Sequence, residues 1–178
     1  MKTFIEFILE DFSDEEMKIA NATSRGSGAV GAKALVPRAV RQHAPASQGH
    51  TILDFGSGKA AAHAESLRKD GYNVTAHEFG GNQVEGRHDP SALSRNYHTV
   101  YASNVLNVQS SPEMLSKTLD QIRGATRKGG QFIGNFPASP RKSKDIDATH
   151  VEGELKRRFK NVKRIGGTKQ APVFHAHD

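Results

Sequence analysis

The stretch Ile52–Ala60, ILDFGSGKA, constrains this chain more than any other. A short apolar run ends in an acid, breaks at Gly56-Ser57-Gly58, and gives way to an Ala-rich segment from Lys59. The pattern predicts a strand passing through a turn free of side-chain bulk into a helix that opens at Lys59. A ligand can then lie against bare backbone at the helix N-terminus. The next apolar run, 73–77, closes on a second acid, Glu78, twenty residues after Gly58. In nucleotide-binding α/β folds that position holds the carboxylate that takes ribose hydroxyls.

Upstream of this motif, Ser13-Asp14-Glu15-Glu16 is a capped, acid-rich helix start, and this helix ends near the Ser24–Gly28 joint. Val30, Ala34, Leu35 and Val40 continue the helical pattern, interrupted or restarted at Pro37. Residues 1–49 thus form a helical cap, with 44–49 as the linker into a core over 50–178; 178 residues fit one domain. Strands are expected at 51–55, 73–77, 99–103 and 131–136, and helices at 59–70, from Ser111-Pro112-Glu113 to Arg127-Lys128-Gly129-Gly130, and at 150–159. Leu115, Leu119 and Ile122 supply the buried stripe of the middle helix. Strands 162–165 and 173–177 pair across Gly166-Gly167. Only about twenty residues separate the second and third strands, too few for the full helix and strand that most doubly wound sheets place there. The fold class is α/β: a doubly wound, mainly parallel sheet with a C-terminal antiparallel pair and a reduced segment after the second strand.

Composition excludes several chemistries. Without cysteine there is no disulfide framework, thiolate metal cage or cysteine nucleophile. The histidines do not form a complete metal-ligand set, although His175 and His177 share one face of a strand. No apolar run is long enough to span a bilayer, and the N-terminus lacks a signal-peptide layout, so the expected location is cytoplasmic. The charge is uneven: residues 1–24 carry two basic and six acidic side chains, residues 141–170 ten basic and four acidic. The basic third reads either as solvated helix and hairpin surface or as a steering surface for a polyanion such as nucleic acid.

At this level the chain resembles the class I S-adenosylmethionine-dependent methyltransferases, whose core is Rossmann-like. LDFGSGKA matches their first motif, with Ala60 in place of the third glycine; Glu78 matches their second-strand acid. Residues 97–137 match their strand, helix, Lys-Gly-Gly turn and strand. Gly56-Ser57-Gly58-Lys59-Ala60-Ala61 also fits a nicotinamide-dinucleotide fingerprint, but the chain is short for a dinucleotide domain plus a substrate domain. The resemblance implies S-adenosylmethionine as cofactor and direct in-line methyl transfer to an unidentified acceptor, a small molecule or protein ahead of nucleic acid. A non-catalytic binding module is the alternative. It places Asp54, Phe55, Gly56, Ser57, Gly58, Glu78, Phe79, Asp89, Ser103 and Asn104 at the cofactor. Asp54 orients the loop or receives the cofactor's amino group, or else simply bonds loop amides. Asp89 meets the adenine amino group or caps a helix through Asp-Pro-Ser. Lys33 is a solvated lysine or a partner for the cofactor carboxylate. His77, His88, His98, His175 and His177 are candidates for a general base at the site edge. Asn104–Val108 is not the Asn-Pro-Pro-Tyr motif of DNA amino-methyltransferases, and the missing cysteine excludes cytosine-C5 chemistry.

Overall fold

A computed structural model describes residues 12–23 and 34–178 of the chain. The Ser24–Gly28 joint, Val30 and Lys33 lie outside the described residues. Helix α1 (Asp14–Thr23) starts as its sequence predicts, with a reciprocal cap. Glu16 N donates to Ser13 Oγ at 3.2 Å and Ser13 N donates to Glu16 Oε2 at 2.9 Å. Helix α2 (Leu35–His43) takes Pro37 into its first turn, where the missing N–H is harmless.

The sheet holds β1 (Thr51–Phe55), β2 (Asn73–His77), β3 (Tyr97–Ala102), β4 (Thr126–Asn135), β5 (Asn161–Gly167) and β6 (Pro172–His177). Their order is β2-β1-β3-β4-β6-β5. The first four are parallel; β6 runs antiparallel to both β4 and β5. The remaining helices are α3 (Ala62–Lys69), α4 (Pro112–Ala125) and α5 (Ala148–Lys156). Between β2 and β3 stand only two 3₁₀ turns, Gly80–Asn82 and Ala92–Ser94, so β2 is an edge strand and the expected shortening is real.

Strand alternation sends side chains to two cores. Leu53, Phe55, Val100, Phe132 and Phe174 pack with Leu115, Leu119 and Ile122 of α4 and Val151 and Leu155 of α5. Ile52, Tyr101, Ile133 and Val173 pack with α2 and α3 on the other face. The α4 stripe is wholly buried, each such side chain contributing about 2 kcal/mol of burial. Its start is capped as expected, Met114 N donating to Ser111 Oγ at 3.1 Å. Among the described residues no helix is long and apolar enough to cross a membrane.

Several boundaries differ from the sequence reading; β3, for one, is Tyr97–Ala102 rather than 99–103. Helix α3 begins at Ala62, not Lys59, because Ala61 N closes a turn onto Gly58 O (3.0 Å) and Ala61 itself is left-handed at φ 46°. Helix α4 runs straight into β4, and Arg127–Gly130 form an irregularity within that strand rather than a helix stop. A Cβ on Gly130 would stand 2.9 Å from the carbonyls of Arg127 and His98, so glycine allows the strands to pair there. Gly166-Gly167 lie inside β5; the turn falls on 168–171, closed by Thr168 N on Ala171 O at 3.1 Å. Helix α5 opens two residues early, on Asp147, whose Oδ1 accepts from His150 N at 2.7 Å, and ends at Lys156.

Candidate active site

The C-terminal ends of β1, β2 and β3 converge on an open cleft lined by Phe55, Gly56, Glu78, Phe79 and Asn104. The glycine turn after β1 is tied to the end of β2: Gly56 N and Ser57 N both donate to His77 O, at 3.0 and 2.9 Å. Gly56 has φ 72° and no room for a side chain, since a Cβ there would meet Val105 Cγ2 at 2.7 Å. Gly56→Ala should therefore lower stability by about 2 kcal/mol, combining a left-handed alanine with displacement of Val105. Urea unfolding checks this; a loss below about 0.5 kcal/mol would show that the turn has another conformation. Gly58, at φ 73°, opens onto space: a Cβ there would meet no atom within 4 Å.

The Gly58 residue is gripped on both sides. Its N–H donates to Glu78 Oε2 at 2.5 Å, and its carbonyl lies 3.0 Å from His88 Nε2. His88 Nδ1 accepts from Val84 N at 2.7 Å, which leaves the proton on Nε2 and makes it the donor to Gly58. Arg87 donates to Lys59 O at 3.0 Å. The shortened segment after β2 thus braces the glycine turn. His88 is a brace rather than a free base.

Glu78 also accepts from Phe79 N at 2.8 Å. Burial raises its carboxyl above the ordinary range, and the amides of Phe79 and Gly58 oppose that rise. An ionised carboxylate offers about four lone-pair sites; these two amides leave room for two more donors on a residue that lines the cleft. Phe79 is the hub of an aromatic wall, edge-on to Phe55 at 5.3 Å, His77 at 4.5 Å and Phe12 at 5.9 Å. Burial drives the His77 imidazole down to about 4, so it is neutral near pH 7.

Asn104 reaches the cleft from just beyond β3, with φ 60°, a conformation asparagine tolerates. Its N–H donates to Asn135 Oδ1 at 2.7 Å, and Asn135 Nδ2 donates back to Asn104 Oδ1 at 2.8 Å. Sequence reasoning missed Asn135, which ends β4. It also missed Phe12 and Met17, near and within α1, and Gln109, Met114 and Thr118, all in the cleft wall.

Five proposed site residues, Asp54, Ser57, Gly58, Asp89 and Ser103, stand apart from the cleft wall. Ser103 is half-buried beside Asn104. Asp54 faces the α2/α3 side, in register with Tyr101, and is 1% exposed. Burial pushes its carboxyl up to about 7, reinforced by the Glu78 charge and partly countered by the Tyr101 hydroxyl and Arg68. Its Oδ2, the Tyr101 hydroxyl and Arg41 Nη1 are all buried, and none lies within ordinary hydrogen-bond geometry of a partner, so the hydroxyl acts on the carboxyl from longer range. Asp89 takes the turn role: Oδ1 accepts from Ser91 N at 2.8 Å and Ser91 Oγ at 2.7 Å, and Oδ2 pairs with Arg95.

The remaining histidines do not line the cleft. His98 Nδ1 bonds Thr51, His175 bonds Gln131 and His177 bonds Asp178 O. Among the described residues no group of three or more histidines and acids is arranged to hold a metal ion. In the basic third, Arg158 is 12% exposed and bound to Glu154, Asp120 and Ser116. Arg164 and Lys156 pair with Glu152, and Arg157 with Glu154. Lys142, Lys144, Lys160, Lys163 and Lys169 are exposed.

No family model matches the sequence, and no curated protein matches it. Solved structures do match. Magnesium protoporphyrin IX methyltransferase from Synechocystis PCC 6803, with bound SAM, is 12% identical with a TM-score of 0.58 over 99% of this chain and 85% of that one. A SAM-dependent methyltransferase from Bacteroides fragilis, in complex with S-adenosyl-L-homocysteine, is 16% identical with a TM-score of 0.59 over 92% and 95%. The CurJ carbon methyltransferase is 16% identical with a TM-score of 0.55 over 76% of this chain and 50% of that one, so this chain spans about half its length. The fold is that of the class I methyltransferases.

Proposed function

We propose that this protein is an S-adenosylmethionine-dependent methyltransferase that uses the cleft at the ends of β1–β3. The grip on Gly58 carries the reading: a glycine with open space above it, held by a buried carboxylate with acceptor capacity to spare. The donor set suits this cofactor. Gly56 and Gly58 leave backbone bare for its methionine and ribose part, Glu78 takes the ribose hydroxyls, and Phe79 packs on the base. Asn104 meets it from the end of β3, while Asp54 lies on the α2/α3 face of the sheet.

Bound there, the cofactor supplies a methyl group on a sulfonium that is already a strong electrophile. The chain's own work is then alignment and exclusion of water. Phe12 and Met17 wall the cleft from the α1 side, while the Asn104–Asn135 pair fixes the loop where an acceptor would stand. Neutral His77 is too enclosed to be assigned a proton-transfer role here. The acceptor we favour is a small molecule or a protein side chain. The exposed lysines of 141–170 support nucleic acid as a further acceptor class.

Calorimetry with S-adenosylmethionine, S-adenosylhomocysteine and nicotinamide dinucleotide tests the cofactor. Binding of the first two and not the third is expected; tighter dinucleotide binding, or no binding of the first two, overturns it. Incubating methyl-labelled cofactor with metabolite, protein, RNA and DNA pools tests catalysis. Label in one pool names the acceptor class, and cofactor binding with label in none establishes a binding module instead.

A further inference from the structure

We infer that the acceptor is a small apolar carboxylic acid, held through its carboxylate by Asn104 Nδ2 and methylated on oxygen. The inference rests on the cofactor reading above and adds the acceptor to it. The orientation of the Asn104 amide carries it. The Asn104 backbone N–H donates to Asn135 Oδ1 at 2.7 Å, which fixes the oxygen end of the Asn135 amide. Asn135 Nδ2 is then the end that donates, to Asn104 Oδ1 at 2.8 Å. With its oxygen turned to Asn135, Asn104 offers the nitrogen and its N–H groups from an exposed position in the cleft wall. Asn135 is buried, so the pair is held from the protein side.

An amide that presents only donors suits some nucleophiles and not others. A neutral amine must keep its lone pair for the methyl group and give up a proton as it reacts. An N–H aimed at that nitrogen occupies the pair. A carboxylate has two oxygens, so one accepts from Asn104 Nδ2 while the other attacks the methyl carbon. The O–C bond forms as the C–S bond breaks, and the C–S electron pair returns to sulfur. Carboxylate and sulfonium charges cancel, leaving a neutral methyl ester and S-adenosylhomocysteine, and no proton moves. Carboxylic acids titrate at about 4, so the nucleophile is already ionised at neutral pH.

The surroundings match such an acid. Val105, Val108 and Met114, with Phe12 and Met17 from the α1 side, give its body an apolar wall. Asn107, next to Val108, ties a basic loop to that wall. Lys142 N donates to Asn107 O at 3.2 Å, and Asn107 Nδ2 donates to Pro140 O at 2.7 Å. Lys142 and Lys144 are exposed on this loop, and positive charge there draws anions toward the cleft.

Two measurements, the first without turnover, test the assignment. In nitrogen-15-labelled protein saturated with S-adenosylhomocysteine, octanoate should shift the Asn104 side-chain amide resonances and octylamine should not. Those resonances are the ones lost in Asn104→Gly, a substitution that φ 60° accepts. An amide unmoved by octanoate, or moved equally by the amine, overturns the inference. For turnover, methyl-labelled cofactor is incubated with small-molecule metabolites. The label should return as methanol under mild alkali, which cleaves methyl esters and spares N-methyl groups. Asn135→Asp still accepts from the Asn104 backbone N–H but lacks the side-chain donor, so Asn104 turns its oxygen to the cleft. At saturating cofactor this variant should cut the alkali-labile labelling by roughly tenfold or more. Asn104→Gly, which removes the amide, should do the same and carries the test if Asn135→Asp fails to fold. Alkali-stable label, label confined to protein or nucleic-acid pools, or no label despite cofactor binding overturns the inference, as does full labelling by either variant. Each of these leaves cofactor binding standing. Failure of the wild type to bind S-adenosylhomocysteine is the distinct result that removes the cofactor reading, and this inference with it.

Discussion

Replacing Glu78 with alanine should weaken S-adenosylhomocysteine binding by about a hundredfold, with only a small change in stability. Hydrogen bonds to a charged group contribute about 1.5–3 kcal/mol each, and a ribose diol presents two donors to one carboxylate. Even at the lower figure the pair is worth about 3 kcal/mol, or some two powers of ten. The folded chain loses less. Glu78 is buried at a cost that raises its pKa, and the bonds from Gly58 N and Phe79 N offset that cost. Deleting the side chain removes both sides of this balance, and the Gly58 amide borders open space where water can replace the carboxylate. His88→Ala is the control, because it releases the Gly58 carbonyl while leaving the ribose acceptor in place. If turn order alone set affinity, the two variants would behave alike. Direct ribose contact requires His88→Ala to lose roughly tenfold less. A loss under about threefold in Glu78→Ala would end the ribose assignment.

Which features were legible follows from how local their causes are. The glycine turn, β1, β2 with its terminal acid and the Ser111 cap of α4 are each decided within a few residues, by backbone freedom, apolar runs and one side-chain bond. The reduced segment was legible as a shortage of residues. Its function was not, because His88 acts on Gly58 across thirty positions. Asn135 meets Asn104 across thirty-one, and such pairings exist only once the sheet order brings the strand ends together. The Lys-Gly-Gly run shows the reverse failure. Its glycines signal a break, but pairing with β3 outweighed the helix-stop reading and made them an irregularity inside β4. Asp54 shows a third kind: its place before the glycines was visible, while its side of the sheet depends on strand alternation and on Tyr101 as register partner.

That placement of Asp54 gives the second large effect. Its carboxyl titrates at about 7 in the folded chain against an ordinary 3.8. Between those values the folded chain holds a proton that the unfolded chain has released. Stability from this group therefore falls as pH rises from about 4 to 7 and stays reduced above that. His77 works in the opposite sense. Its folded value of about 4 lies below the ordinary 6.5, so its contribution is complete above 6.5 and is lost as pH falls toward 4. Asp54→Asn removes the first dependence and keeps the second. Relative to wild type, the variant should gain about 2–3 kcal/mol more stability at pH 8 than at pH 5, since each pH unit across the shifted range is worth about 1.4 kcal/mol. Urea unfolding at the two pH values measures it. Cofactor affinity should change less than about threefold, because the side chain lies on the sheet face away from the cleft. A stability difference that does not vary with pH would mean that the carboxylate is ionised throughout, with Arg41 or Arg68 as its counter-charge. A large loss of affinity would instead place Asp54 in contact with the ligand.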